Sequence, residues 1–172
     1  MNAVETIATC DLLIDNQDVA ATAGRTYDRL DPMTGAAATR AAAAAAADAA
    51  RAADAAAAAF PAWSEMGPNA RRALLSAGAD ALQARAADFI AAAIPETGAT
   101  GPWIGFNVML AAGMLREAAA MTTQIGGEVI PSDKPGCIAM AVRQAAGVVL
   151  GIAPWNAPVI LGVRALAMPL AC

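Results

Sequence analysis

Residues 147–168 read GVVLGIAPWNAPVILGVRALAM, and this stretch decides the fold class of the chain. Its first part, residues 147–152, carries no polar side chain and predicts a strand buried on both faces, as parallel strands are. A tight turn over residues 154–156 follows, and residues 158–168 predict a helix that stops at Pro169. The order of strand, tight turn and helix is the opening of an α/β nucleotide-binding unit.

The same stretch also tests a membrane interpretation, because no residue between Arg143 and Arg164 is charged. About 20 such residues are enough for a helix to span a bilayer. Pro154 and Pro158 interrupt this stretch, and breaking the helix there would leave backbone groups unpaired in lipid. The prolines therefore argue against a membrane span, and a membrane-anchored, alanine-rich protein is the alternative.

The composition is unusually apolar for a soluble protein. Of the 172 residues, 58% are hydrophobic and 15% are charged, against about 45–50% and about 25% in typical domains. Alanine explains much of this excess, since it dominates residues 36–59. Helix propensity alone predicts a helix throughout that run, with low-complexity disorder as the alternative. The formal net charge of −4, without a basic cluster, argues against nucleic-acid binding.

The chain contains no histidine, which excludes Ser-His-Asp and Cys-His catalysis and histidine-ligated zinc within it. Any catalytic proton transfer in this chain would fall to a carboxylate, Lys, Tyr or Cys. Cys10, Cys137 and Cys172 are odd in number and widely spaced, which is typical neither of a disulfide framework nor of a zinc site. We therefore expect no metal site and a reducing, cytoplasmic compartment. Residues 1–11 lack the basic start and apolar run of a signal peptide.

The chain upstream of the deciding stretch predicts short strands, then helices, then strands again. The predicted strands are residues 11–15 and 26–30 around a polar turn at 16–25, and later residues 128–130 and 138–143. Beyond the alanine-rich run, which Phe60, Pro61, Ala62 and Trp63 would end, helices are predicted from Pro68 to Pro95 and from Pro102 to about Thr122. On the last of these, the predicted apolar side consists of Phe106, Leu110, Met114 and Leu115.

Residues 127–172 resemble the NAD(P)-dependent aldehyde dehydrogenase superfamily. The upstream chain agrees at DPMTG (31–35), FPAW (60–63) and ETG (96–98), so the resemblance covers nearly the whole chain. It is strongest over residues 143–172. There the pattern VRQxxGVVLGIAPWNAPVILGxRAxAMPLAC looks most like the salicylaldehyde, benzaldehyde and vanillin dehydrogenase group.

The resemblance implies an incomplete α/β aldehyde dehydrogenase fold. Residues 1–126 would form the N-terminal strands and the helical part of the cofactor domain, and residues 127–145 an arm that pairs strands across subunits. Residues 146–172 would be the first strand, Pro-Trp-Asn turn and helix of the Rossmann-like cofactor domain, with the catalytic domain absent. The resemblance further implies that residues 36–41 are extended, and that the full-length protein is a homo-oligomer, either a dimer or a tetramer.

In this family a cysteine thiolate attacks the aldehyde, and hydride then leaves to the nicotinamide of NAD or NADP. A glutamate activates the water that releases the acid. The resemblance assigns Asn156 as a donor to the oxyanion, with capping of the following helix as its alternative role. The predicted cofactor-binding residues are Ile152, Ala153, Pro154, Trp155 and Asn156, with core packing as the alternative for Trp155. The family's catalytic Cys and Glu match no residue here, so the chain alone is predicted to be inactive.

Two helical faces would line the aldehyde site. Their residues are Trp103, Phe106 and Leu110 on the first helix, and Ala157, Leu161 and Arg164 on the second. An aromatic wall with one cation suits an aromatic aldehyde that carries a hydroxyl or phenolate. Ordinary helix packing is the alternative for these side chains, and a surface salt bridge is the alternative for Arg164. Glu96 matches a carboxylate that helps hold a structural cation in the family.

A second class of function stays open beside the enzyme. A truncated, non-catalytic chain could keep only the arm and act as an oligomerisation or interaction module for full-length subunits. The reading frame separates the two hypotheses, since an enzyme requires a glycine-rich loop, a Glu and a Cys in the sequence that follows residue 172.

Overall fold

The computed structural model describes residues 7–172, which form short strands around a group of helices. The strands are β1 (Ala8–Cys10), β2 (Leu12–Ile14), β3 (Gln17–Val19), β4 (Thr26–Leu30), β5 (Ala37–Ala42), β6 (Glu128–Ile130) and β7 (Ala139–Ala141). The α-helices are α1 (Ala46–Ser64), α2 (Pro68–Ala84), α3 (Ala86–Thr97), α4 (Gly101–Met121) and α5 (Pro158–Ala171), and a 3-10 turn covers Thr22–Gly24.

The first strands form two small sheets. β5 lies between β1, to which it is parallel, and β4, to which it is antiparallel. β2 and β3 form a hairpin through Asp15 and Asn16, which have φ of 53° and 57°. Asp and Asn tolerate this left-handed conformation, and it matches the turn of a two-residue hairpin. The prediction of a polar turn over 16–25 is therefore wrong in part, because the chain reverses earlier and residues 17–19 form a strand.

The alanine-rich run is divided between a strand and a helix. β5 is extended over Ala37–Ala42 and α1 begins at Ala46, as the family resemblance predicted and as helix propensity did not. β5 pairs with β4 from Ala37 to Ala42, and it also pairs with β1 over residues 39–41. Tertiary pairing thus overrides the high helix propensity of alanine here.

Asp48 fixes the start of α1. Its side chain is only 1% exposed, and its carboxylate accepts from the backbone N–H of Ala45 at 2.8 Å. The N–H and hydroxyl of Thr22 and the guanidinium of Arg51 also donate to it, at 3.0, 2.7 and 2.6 Å. The Ala45 bond above all, and then the Thr22 and Arg51 donors, hold the pKa of Asp48 well below its ordinary value.

Three prolines that were expected to end helices lie inside them. Pro61, Pro95 and Pro169 fall in the last turns of α1, α3 and α5, which end at residues 64, 97 and 171. At a position this close to the end of a helix, a proline removes only one backbone hydrogen bond, and other contacts stabilise the final turn. The indole of Trp63 donates to the Leu170 carbonyl at 3.2 Å. Gly98, at φ 68°, closes α3 by donating to the Ile94 carbonyl at 2.9 Å.

The helical core is built largely from alanine. α4 packs against α2, α3 and α5, and small side chains let these helices approach closely. The core cluster consists of Leu75, Ala79, Ala112, Leu115, Ala118, Ala119, Ala167 and Ala171. The helix predicted from Pro68 to Pro95 is two helices, because the backbone breaks at Arg85.

The buried face of α4 differs from the predicted one. Ile104, Val108 and Ala111 are buried together with Leu115, whereas Phe106 and Leu110 are exposed. An almost uniformly apolar helix offers no polar stripe from which to choose its core face, so periodicity alone was insufficient.

The strand predicted at residues 147–152 is absent. Residues 142–154 have no regular structure, and Leu150 and Ile152 are 83% and 82% exposed. A parallel strand takes its backbone hydrogen bonds from neighbouring strands, and none of the strands in residues 7–172 lies beside this segment. Gly151 nevertheless packs closely on α5, since a Cβ there would come within 2.9 Å of the Ala165 Cβ.

The predicted arm contains an antiparallel pair. Glu128 pairs with Ala141 and Ile130 with Ala139, so both arm strands are confirmed, although β7 is shorter than residues 138–143. Within residues 7–172, no helix has both the length and the hydropathy needed to cross a membrane.

Candidate active site

Asn156 lies in the turn that leads directly into α5. It is exposed, and its side chain takes part in none of the hydrogen bonds between residues 7 and 172. The N-cap of α5 is Ala157, and no side chain caps this helix. The capping role considered for Asn156 is therefore not realised, and its amide is free to donate to another group.

Trp155, the residue immediately before Asn156, contacts a residue of the first sheet. The guanidinium carbon of Arg29 lies 3.6 Å from the centroid of the indole ring. The ring is 46% exposed, so plain core packing does not describe it. This stacking joins β4 to the Pro-Trp-Asn turn across more than a hundred residues of chain.

The other surroundings of Trp155 form an open cleft of about 280 Å³ between α3 and the start of α5. Its lining consists of Phe89, Ala92, Ala93, Glu96, Thr97, Trp155, Pro158 and Val159. Glu96 is the one ionisable residue in that lining. Residues 7–172 contain no group of three or more His, Cys, Asp or Glu able to hold a metal ion, so a cation at Glu96 stays a prediction.

The segment that matches the family's cofactor site is exposed to solvent. Ile152, Ala153 and Pro154 are exposed, and the N-terminus of α5 that follows has no capping side chain. Apolar surface beside an uncapped helix N-terminus fits the flat rings and negative phosphates of a dinucleotide.

The residues matched to the aldehyde site on α4 share one exposed face. The rings of Trp103 and Phe106 stack with centroids 5.7 Å apart and an interplanar angle of 26°, and both are 43% exposed. Leu110 continues this face and is also exposed. These three side chains lie outside the buried core, and their role in the aldehyde site stays a prediction.

The residues of α5 and its N-cap that match the aldehyde site differ in burial. Ala157 is buried, Leu161 is half-buried and Arg164 is exposed. None of the carboxylates in the described chain lies within 4.0 Å of the Arg164 guanidinium. The surface salt bridge considered for Arg164 is thus not formed.

Sequence reasoning missed two polar residues near these elements. Arg29 gave no signal, since its contact with Trp155 exists only in the folded chain. Asn107 is fully buried on α4, where its Nδ2 donates to the Trp103 carbonyl at 2.8 Å and its Oδ1 has no partner. A lone amide within an apolar helix was the signal that could have drawn attention to it. Cys10, Cys137 and Cys172 are free and exposed.

The strands, the helices and the Pro-Trp-Asn turn before α5 agree with the family resemblance of the sequence. The chain belongs to the aldehyde dehydrogenase family, whose family model matches residues 19–172.

Among its relatives, the chain is 63% identical to a vanillin dehydrogenase of Pseudomonas sp. (strain HR199 / DSM 7063) and 41% identical to a salicylaldehyde dehydrogenase of Pseudomonas putida. Each match covers 94% of this chain and 33% of the relative. The crystal structure of a salicylaldehyde dehydrogenase from Pseudomonas putida G7, complexed with salicylaldehyde, superposes with a TM-score of 0.93 at 40% identity. That match covers 96% of this chain and 34% of the other, so the chain spans about a third of the length of these relatives.

Proposed function

We propose that this chain is the N-terminal part of an enzyme that oxidises an aromatic aldehyde to the carboxylic acid with NAD or NADP. The observation that carries this proposal is the 63% identity to a vanillin dehydrogenase over 94% of the chain. The similarity to a salicylaldehyde dehydrogenase at 41% supports the same substrate class. Both relatives are named for aromatic aldehydes with a ring hydroxyl.

Asn156 is the residue of this chain that acts on the reacting atoms. Thiolate attack on the aldehyde, by a cysteine beyond the present sequence, places a negative charge on the former carbonyl oxygen. The free amide of Asn156 donates a hydrogen bond to that oxygen without carrying a charge itself. One such donor is worth about 3–4 kcal/mol in the transition state.

The exposed segment before Asn156 supplies the cofactor surface. Ile152, Ala153, Pro154 and Trp155 offer apolar contacts, and the uncapped start of α5 offers backbone N–H groups. A nicotinamide cofactor held there would supply the hydride acceptor for the oxidation. The protein's part in this is to hold the ring and to exclude water.

Substrate preference comes from the α4 face and from α5. The stacked rings of Trp103 and Phe106 favour a flat aromatic substrate. Arg164, without a carboxylate partner in the described chain, supplies a cation for a ring hydroxyl or phenolate. Leu110, Ala157 and Leu161 complete the apolar wall.

The β6–β7 arm is the proposed subunit contact. Val129, Ile138 and Met140 are all more than 60% exposed on this two-stranded ribbon, and bare strand edges pair readily with another chain. An oligomerisation module without catalysis is the second candidate, and this exposed ribbon is the observation that favours it.

The test is aldehyde oxidation by the complete protein that the gene encodes. We expect NAD(P)H formation with vanillin, salicylaldehyde or benzaldehyde, and slower turnover of an aliphatic aldehyde. Absence of turnover with both cofactors and all three aromatic aldehydes would contradict the enzyme. A stop codon directly after Cys172 would favour the oligomerisation module.

A further inference from the structure

We propose that Arg29 is a positioning residue: by stacking on Trp155 it fixes the Pro-Trp-Asn turn to the first sheet and sets the direction of the Asn156 amide. This inference rests on the proposed function, since it concerns the same oxyanion donor. Its basis is the distance of 3.6 Å between the Arg29 guanidinium carbon and the centroid of the Trp155 ring.

The Arg29 guanidinium is available for this contact because neighbouring carboxylates are occupied. Asp28 accepts from Arg40 through both of its oxygens, at 2.7 and 3.1 Å. Asp31 accepts from the backbone N–H of Met33 at 2.7 Å. Within residues 7–172 no carboxylate lies within 4.0 Å of Arg29, so the indole face is the partner that the fold gives it.

Strand pairing holds β4 in place at Arg29, whereas the Pro-Trp-Asn turn has few contacts of its own. Arg29 pairs with Thr39 of β5, and the ladder shifts register at the next residue, Leu30. The turn follows residues 142–154, which have no regular structure. The approach of Gly151 to Ala165 is a second anchor, but it lies several residues before the Asn156 amide.

Fixing the Trp155 ring restricts the residue that follows it. Trp155 and Asn156 share a peptide unit, so a ring clamped by a planar cation limits the orientations of that unit and of the amide beyond it. A misplacement of about 1 Å in a reacting group can cost roughly 10²-fold in rate. The amide interacts with charge that appears only after thiolate attack, so kcat is affected and KM is not.

The experiment uses the complete enzyme and five variants, with rates expressed per mole of folded protein. Arg29→Ala is expected to lower kcat by roughly tenfold, with the KM for aldehyde and cofactor changed by less than about twofold. Arg29→Lys is expected to recover part of the loss, because an ammonium keeps the attraction to the ring but not the planar stacking. Arg25→Ala removes the same charge just before β4, where the guanidinium contacts only the Ala43 carbonyl, and is expected to leave kcat unchanged.

A double-mutant cycle shows whether Arg29 acts through the ring. Trp155→Leu alone should lower kcat, and adding Arg29→Ala to it should change kcat by less than about twofold. An equal loss in both backgrounds would overturn the proposal, and so would an Arg29→Ala variant that melts earlier but keeps full kcat per mole of folded protein. Those results would leave the proposed function intact. An inactive wild-type enzyme would instead contradict the proposed function, and the positioning role with it.

Discussion

At the scale of single residues, the free amide of Asn156 makes catalysis and stability separable. Asn156→Ala in the complete enzyme should lower the rate of aldehyde oxidation by roughly 10²–10³, the usual cost of one oxyanion donor. Stability should change by less than about 0.5 kcal/mol, because the exposed side chain makes no hydrogen bond in the described chain. Turnover numbers, cofactor binding and thermal melting check this expectation. Asn69→Ala, at another exposed asparagine, is the control; normal turnover by Asn156→Ala would contradict the role.

Arg164 is the second residue whose role a substitution can define. If its cation meets a ring hydroxyl, Arg164→Ala should lower kcat/KM for vanillin and salicylaldehyde by roughly 10–100-fold, since a hydrogen bond to a charged group is worth about 1.5–3 kcal/mol. Benzaldehyde and aliphatic aldehydes should change little. The measurement is the ratio of kcat/KM between hydroxylated and plain aldehydes, with the exposed Arg143→Ala as control. An equal loss for all aldehydes would count against a specificity role.

At the scale of elements, the junction between the 3-10 turn and α1 depends on the charge of Asp48. Its pKa is lowered in the folded protein, so the carboxylate contributes stability above its ordinary pKa of about 4. That contribution is lost as the pH falls below this value. Urea midpoints between pH 7 and pH 3 should therefore decrease steeply in the wild type. Asp48→Asn should lower the midpoint at pH 7 and flatten the acid decrease.

Asp54→Asn is the matched control for that measurement, because Asp54 is exposed on the same helix. It should follow the wild-type curve. Asp28, whose pKa Arg40 also lowers, supplies a residual pH dependence in every variant. A wild-type midpoint independent of pH between 5 and 3 would contradict the role of Asp48.

Sequence reasoning succeeded for elements that have local signals. Pro102 at the start of α4 and Pro158 at the start of α5 identified those helices, and the strands of the arm were found from their apolar runs. The extended β5 was predicted through the family resemblance alone, since alanine propensity favours a helix. Helix ends failed at Pro61, Pro95 and Pro169, because contacts distant in sequence, such as that of Trp63 with Leu170, hold the last turns.

The candidate site divides in the same way. Asn156 and Trp155 were recognisable because they stand in one short motif. Arg29 lies on β4, which is mostly exposed, and its partner Trp155 is more than a hundred residues away in sequence. Such a contact depends on how β4 and the turn meet in space, which no local pattern records. The strand at 147–152 failed for a related reason, since a parallel strand exists only with its neighbours.

At the scale of the whole molecule, the proposed function assigns the oxyanion donor to this chain, but it assigns neither the nucleophile nor the water-activating glutamate to it. We therefore expect the purified 172-residue chain to show no aldehyde oxidation with NAD or NADP. The check is NAD(P)H formation by a chain of verified mass, compared with its Asn156→Ala variant. A rate above that of the variant would show that the chain carries a catalytic apparatus of its own.

The same chain is expected to associate in dilute solution, because two of its apolar surfaces are exposed to solvent. Leu150 and Ile152 are more than four-fifths exposed, and Val129 and Ile138 of the arm are at least three-quarters exposed; exposed apolar strands favour association. Sedimentation velocity across a range of concentrations checks this. Leu150→Lys tests the first surface and Ile138→Lys the arm, each introducing a charge that opposes strand pairing. If the arm mediates a specific contact, Ile138→Lys should convert a discrete oligomer to monomer, while Leu150→Lys should reduce only larger aggregates. A wild-type chain that sediments as a monomer throughout would contradict both expectations.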